Sequence, residues 1–258
     1  MDLGFRGEVA EFYQRYRRGY PAPVIDALVD AFALTREDTV VDLGCGTGQL
    51  AVPLALRVGS VVAIDPEPDM LAVGRAGTDA DNIRWVVGSD RDVPLRGQDS
   101  VGALVVGQAL HWMDHAALFP AVAPMFRPGG GVAVVTNGEP LWLQDNAWSR
   151  ALRDCLTPLL GARPTRTCGT DDASQRQYAD ELEQAGYTVR STVVEYTADL
   201  DTETIVGNVY SALGVDQLPT PARRPAFADA IRAAVAPHEP LTEHVRVTIL
   251  TGVRAGAR

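Results

Sequence analysis

The run Asp42-Leu43-Gly44-Cys45-Gly46-Thr47-Gly48 limits this chain's possible folds more than any other stretch. It follows a short apolar segment, Thr39 to Leu43, and precedes Gln49 to Val58, which reads as a helix with Pro53 in its first turn, where a missing N–H is tolerated. Alternate glycines let the backbone take positive φ and approach a ligand closely. The head of the next helix offers unpaired N–H groups. Such a strand–turn–helix unit is where a doubly wound sheet binds a nucleotide-like ligand. The spacing then narrows the ligand. A dinucleotide fingerprint fails in both registers, because Gln49 and Ala51 hold the third glycine's place. Gly48-Gln49 also lacks the Gly-Lys-Ser/Thr ending of a phosphate loop.

The rest of the chain supplies the sheet. Val61–Asp65, Ile83–Val87, Gly102–Val106 and Val132–Thr136 read as further strands, with helices at Pro68–Arg75 and His115–Met125. Near-continuous Val, Ile, Leu and Ala in the strands argues a parallel sheet covered on both faces. Ahead of it, Phe5–Tyr20 reads as helix, broken at Tyr20-Pro21-Ala22-Pro23, and Val24–Phe32 as a second helix. Behind it, Tyr178–Ala185 reads as helix with Gly186 as its cap, Tyr187–Tyr196 as strand, about 202–213 and 221–234 as helices, and about 243–253 as the last strand. The expected fold is α/β: a doubly wound, mostly parallel seven-stranded sheet with helices on both faces and its last strand antiparallel. We expect a single domain over 1–258, with 1–35 an N-terminal helical lid and about 137–175 a substrate cap.

Charge and cysteine usage bound the partners. Lys plus Arg number 23 and Asp plus Glu 33, a net −10 that repels phosphate backbones, so nucleic acid is not an expected partner. The basic run Arg15-Tyr16-Arg17-Arg18 reads as a solvated helix face. Cys45, Cys155 and Cys168 form neither a disulfide framework nor zinc spacing, which fits a reducing compartment and no metal. The polar start, with Asp2, Arg6, Glu8 and Glu11, is unlike a signal peptide, and no stretch reaches transmembrane length. The expectation is a cytoplasmic monomer or homodimer with no membrane partner.

The acidic-x-G-x-G-x-G run resembles motif I of class I S-adenosylmethionine-dependent methyltransferases, whose Rossmann-like fold matches the element order. The resemblance covers roughly residues 12–136. It implies that Gly44, Cys45, Gly46 and Gly48 wrap the methionine part of S-adenosylmethionine, with Asp42 at its amino end. Asp65 lies 23 residues after Asp42 and closes the second strand, where a carboxylate accepts from ribose hydroxyls. Pro66 to Leu71 is similar to the family's continuation, with Met70 beside adenine. Gly88-Ser89-Asp90-Arg91-Asp92-Val93-Pro94 departs from the usual G-D/S-A-E-x-L-P at Asp90 and Arg91, leaving Ser89 and Asp90 as adenine candidates. Gly107-Gln108-Ala109-Leu110-His111-Trp112 resembles the A-x-H-W element of small-molecule enzymes, with Gln108 at the cofactor. Tyr13-x-x-x-Arg17-x-x-Tyr20-Pro21 is similar to an N-terminal run that covers the cofactor and holds its carboxylate, and Arg127-Pro128-Gly129-Gly130 to the turn before the fifth strand.

The resemblance therefore implies methyl transfer to an O, N or C atom of a small-molecule metabolite, with S-adenosylhomocysteine as product. His111 is the candidate general base, against a role lining the pocket. Cys45 reads as a small filler, Asp114 as a helix cap and His115 as structural. Trp142 and Trp148 either line a substrate pocket or pack a cap. The alternatives are an NAD(P)-dependent oxidoreductase and a non-catalytic S-adenosylmethionine-binding module.

Overall fold

The computed structural model describes residues 4–94 and 100–254. Residues 1–3, 95–99 and 255–258 lie outside that description, and with them the outer bounds of the expected domain. Seven strands, β1 (Thr39–Leu43), β2 (Ser60–Asp65), β3 (Ile83–Val87), β4 (Val101–Gly107), β5 (Phe126–Asn137), β6 (Tyr187–Leu200) and β7 (Leu241–Arg254), form one sheet. Its order is β3-β2-β1-β4-β5-β7-β6. The first five strands pair in parallel and β7 runs antiparallel to β5, as the apolar strand pattern and its loosening after Asn137 led us to expect. The order reverses between β1 and β4, so the glycine run after β1 sits at the sheet's switch point.

Nine helices are placed among the described residues: α1 (Glu8–Tyr16), α2 (Ala22–Phe32), α3 (Ala51–Ala55), α4 (Pro68–Ala76), α5 (His115–Val122), α6 (Ala147–Leu160), α7 (Asp172–Gln184), α8 (Thr202–Ala212) and α9 (Arg224–Val235). Two expectations need correcting. The helix expected over Gln49–Val58 is only the five residues of α3, because left-handed turns at Gly46 and Gly48 consume the chain before it. Its head therefore contributes little dipole. The helix expected from Phe5 to Tyr20 ends at Tyr16, and Arg17 is already extended, three residues before the prolines.

By chain contacts the molecule divides into two compact units: 1–17, 138–168 and 195–246 in the first, and 18–137, 169–194 and 247–258 in the second. The expected lid is thus divided at Arg17/Arg18, and the expected cap at Cys168/Gly169.

The second unit holds the parallel strands. Partnered residues share a face, and side chains alternate along each strand. One face carries Val41, Leu43, Val62, Ile64, Leu104, Val106, Val132 and Val134, all buried against Leu118, Phe119 and Val122 of α5 and Tyr178 and Leu182 of α7. Full burial of a side chain such as Phe119 contributes about 1.5–3 kcal/mol. His115, at the head of α5, pairs with Glu181 of α7 and sets its ring edge-on to Tyr178, as a structural histidine should. Asp114 caps α5 by accepting from the Ala117 N–H at 3.2 Å. Arg127 of the Arg-Pro-Gly-Gly turn pairs with buried Asp38 and donates to the Phe32 carbonyl at 2.9 Å, which ties the end of α2 to the start of β5. That guanidinium holds the Asp38 carboxyl below its ordinary pKa.

The first unit is helical, with α6, α8 and α9 packed through Leu152, Leu156, Ile205, Val209, Phe227 and Ile231. Trp148 lies in this core and donates its indole N–H to the Thr242 carbonyl at 2.8 Å, whereas Trp142 is partly buried at the core's margin. Helix α1 lies on α8 at Gly207, where an added Cβ would stand 2.2 Å from the Tyr16 ring. Phe12 packs on Tyr210 with ring centroids 5.1 Å apart, and Glu8 pairs with Arg224 at the head of α9.

Candidate functional site

Parallel register puts the tips of β1 and β2 at one edge of the sheet, since Leu43 pairs with Ile64 and Asp42 with Ala63. Asp42 and Asp65 have the same alternation, so both side chains project from one face, opposite the α5–α7 layer. The loop between them is drawn against β2 by two amides, Gly44 N–H and Cys45 N–H, donating to the Ile64 carbonyl at 2.8 and 3.0 Å.

The glycines are required by space as well as by φ. Gly44, at φ 71°, would place a Cβ 2.4 Å from the Ala109 Cβ. Gly48, at φ 92°, would place one 2.7 Å from the Trp85 ring. Cys45 is buried and its thiol is pushed well above its ordinary pKa by burial and then by Asp42 and Asp65, so it is a filler and no nucleophile. Met70 is buried on α4, with Pro66 at the bend before it.

The two carboxylates differ in their partners. Asp65 Oδ2 accepts from the Gly46 N–H at 2.8 Å and Oδ1 from the Glu67 N–H at 2.9 Å. Burial raises its pKa to about 6 against the pull of those two amides. Each oxygen keeps a second lone pair, so the amides fix the carboxylate and leave it able to accept further hydrogen bonds. Asp42 is 1% exposed, and neither of its oxygens meets a hydrogen-bond partner. Burial lifts its pKa to about 7, the nearby Ala51 amide offsets this only in part, and the Asp65 charge adds to it. An unpartnered buried carboxylate is costly and asks for a cation. A glycine cradle beside it, with a pinned carboxylate on the next strand, fits a ligand carrying an ammonium and vicinal hydroxyls.

The remaining expected residues fall into three groups. Gln108 follows β4 at φ 54° and donates its backbone N–H to the Val135 carbonyl at 2.9 Å. His111 and Trp112 share the short turn after it, half-buried, with ring centroids 5.2 Å apart. Tyr20 belongs to the same unit, and its hydroxyl lies where a Cβ on Gly107 would be, 2.7 Å away. Ser89 and Asp90 serve local structure: Ser89 caps the turn Asp90–Asp92, and Asp90 Oδ2 accepts from the Asp114 N–H at 3.1 Å. Tyr13 and Arg17 lie in the first unit, where Arg17 stacks over Tyr13 and donates from Nε to Ser211 Oγ at 2.8 Å.

Two residues escaped the sequence reading. Trp85 occupies β3 and walls both Gly48 and Gly74, which an aromatic on the ligand-facing alternation could have suggested. Asn137 ends β5 and is discussed below.

Comparison with known proteins points the same way. Residues 40–130 match the methyltransferase-domain family. An uncharacterized methyltransferase of Mycobacterium tuberculosis is 39% identical over 156 residues, a stretch spanning 60% of each chain. One from Schizosaccharomyces pombe is 28% identical over 134 residues, 52% of each chain. The chain thus spans about three-fifths or less of the length of these curated relatives. Among solved structures, the YcgJ protein of Bacillus subtilis superposes with a TM-score of 0.58 at 14% identity, over 92% of this chain and all of that one. A precorrin 8w decarboxylase of Methanobacterium thermoautotrophicum gives 0.53 at 17% identity, over 93% and 95%. At those identities the structures establish the fold and nothing finer.

Proposed function

We propose, from this chain's membership of the class I S-adenosylmethionine-dependent methyltransferase family, that it binds S-adenosylmethionine and methylates an O, N or C atom of a small molecule. One observation carries the reading: a fully buried carboxylate without a partner, Asp42, stands beside a glycine cradle and shares a sheet face with Asp65. Asp42 would hold the ammonium of the methionine part, Asp65 the ribose hydroxyls, and Gly44, Gly46 and Gly48 would let the backbone close on the ligand. When bound, S-adenosylmethionine supplies an electrophilic methyl group and leaves as S-adenosylhomocysteine. The chain's own task is to orient the acceptor and exclude water, effects that account for about 7–11 kcal/mol in well-oriented reactions. His111 stands past the end of β4 and can take a proton where the acceptor must lose one.

The same observation disfavours the oxidoreductase alternative. A dinucleotide would bring its pyrophosphate against Asp42, and like charges in a buried site repel. The net charge of −10 supports a small-molecule acceptor over nucleic acid. No helix among the described residues is long and apolar enough to cross a membrane. Cysteines 45, 155 and 168 are all free, which supports a reducing, cytoplasmic setting for a monomer or homodimer.

The test is calorimetric titration with S-adenosylmethionine, followed by an acceptor screen read by S-adenosylhomocysteine release. Micromolar binding and turnover of a small acceptor are expected. Absence of heat at millimolar cofactor would refute the reading, and binding with no product from any acceptor would leave the non-catalytic module.

A further inference from the structure

We infer that Asn137 recognises the methyl acceptor, its Oδ1 taking a hydrogen bond from an O–H or N–H that the acceptor carries. This rests on the methyltransferase reading above. Asn137 ends β5, and register fixes its side: Asp42 pairs with Val105, Val105 with Ala133, and Asn137 lies four positions beyond Ala133. Even spacing keeps it on the face that bears Asp42 and Asp65. It stands at the sheet's carboxyl edge, where ligands of open α/β sheets bind.

The orientation of its amide is decided by its neighbours. Nδ2 donates to the Gly19 carbonyl at 3.1 Å, with the Arg18 carbonyl at 3.5 Å. A flipped amide would set oxygen against both carbonyls, so Oδ1 points the other way. The backbone oxygen is engaged too, accepting from Arg18 Nη1 at 2.8 Å. Asn137 is 6% exposed, and Oδ1 is sealed from solvent with no partner. An orphaned buried acceptor costs about 1–3 kcal/mol and calls for an explanation.

The cofactor's donors are already assigned elsewhere. Asp42 takes the ammonium on β1, and Asp65 the hydroxyls on β2. Asn137 lies on the other side of β1, two strands away and four residues further along, so its Cα is roughly 16 Å from that of Asp42 at ordinary strand spacing and rise. One ammonium cannot serve both. Tyr20 Oη, over the end of β4, occupies the ground between the two strands. The donor that completes Asn137 therefore comes from a second molecule, and that molecule is the acceptor. The acceptor class follows: an alcohol, phenol or amine bearing hydrogen, rather than a thioether, tertiary amine or carboxylate.

A crystal structure with S-adenosylhomocysteine, beside kinetics of two variants, tests this. In the complex, Oδ1 should face the cavity beyond the cofactor, bound to water or to nothing. If the cofactor or another protein group caps it, the inference fails. For any acceptor turned over, Asn137→Ala should lose at least tenfold in kcat/KM while the S-adenosylhomocysteine Kd stays within twofold. Arg18→Ala, which loosens the same strap without touching Oδ1, should lose less than threefold. Equal losses in the two variants, a weakened S-adenosylhomocysteine Kd in Asn137→Ala, or turnover only of acceptors lacking a donor hydrogen would overturn it. Failure to bind S-adenosylhomocysteine at all would instead refute the methyltransferase reading.

Discussion

Replacing Asp42 by asparagine removes one buried charge and almost no volume. The folded carboxyl titrates at about 7 instead of the ordinary 3.8, because burial outweighs the Ala51 amide. A folded-state pKa above the unfolded one means that the ligand-free protein binds an extra proton on folding. Stability is therefore greatest below the unfolded value, and falls by about 1.4 kcal/mol per pH unit until the folded value is passed. At pH 5 the burden is about 1.5 kcal/mol, and at pH 8 about 4 kcal/mol. Asp42→Asn should thus gain on the wild type by about 2–3 kcal/mol between those pH values, or about 5–10 °C in Tm for a chain of this size. Thermal unfolding of both proteins without ligand, at pH 5 and pH 8, measures the gap. Because Asp65 titrates in both proteins, its contribution largely cancels. A gap that is the same at both pH values would show that Asp42 is solvated or partnered, and the argument for a waiting cation would go with it. With S-adenosylhomocysteine the order should reverse, the variant binding about 10–100-fold more weakly because a charged hydrogen bond is lost.

Three further outcomes are expected. Gly44→Ala should lower Tm and abolish S-adenosylhomocysteine binding by calorimetry, since φ 71° and the 2.4 Å approach to Ala109 both exclude a side chain; Ala109→Gly in the same chain should restore part of the Tm. Asp65→Ala should weaken S-adenosylhomocysteine binding at least tenfold, through lost hydroxyl contacts and a loosened Gly46 amide. Arg127→Met should destabilise by about 2–4 kcal/mol in urea, by stranding Asp38. Asp38 is held below its ordinary pKa, so its contribution is present above about pH 4 and lost as pH falls through the folded value; the Arg127→Met deficit should shrink in acid.

The sequence made the parallel half of the sheet legible because its strands are buried on both faces and read as unbroken apolar runs ending in Asp or Gly. The glycine motif was legible because steric demands at Gly44 and Gly48 leave no other residue possible. Helix limits were less so: α3 is cut to five residues by a loop geometry that apolar spacing does not register. Asn137 was invisible, since a lone asparagine after a strand looks like any turn, and only register and an orphaned oxygen distinguish it. The division into two units was hidden as well, because each is assembled from segments far apart in the chain.

The seat of α1 on α8 has a consequence for synthesis. Gly207 follows Tyr16 by 191 positions, so the rings of Phe12 and Tyr16 emerge from the ribosome long before the helix that shelters them. At ordinary translation rates the interval is roughly 10–40 s. For that time an aromatic, amphipathic segment is open to chaperones and to wrong partners. A nascent chain stalled before residue 207 should hold α1 in a protease-sensitive state that the finished protein does not show.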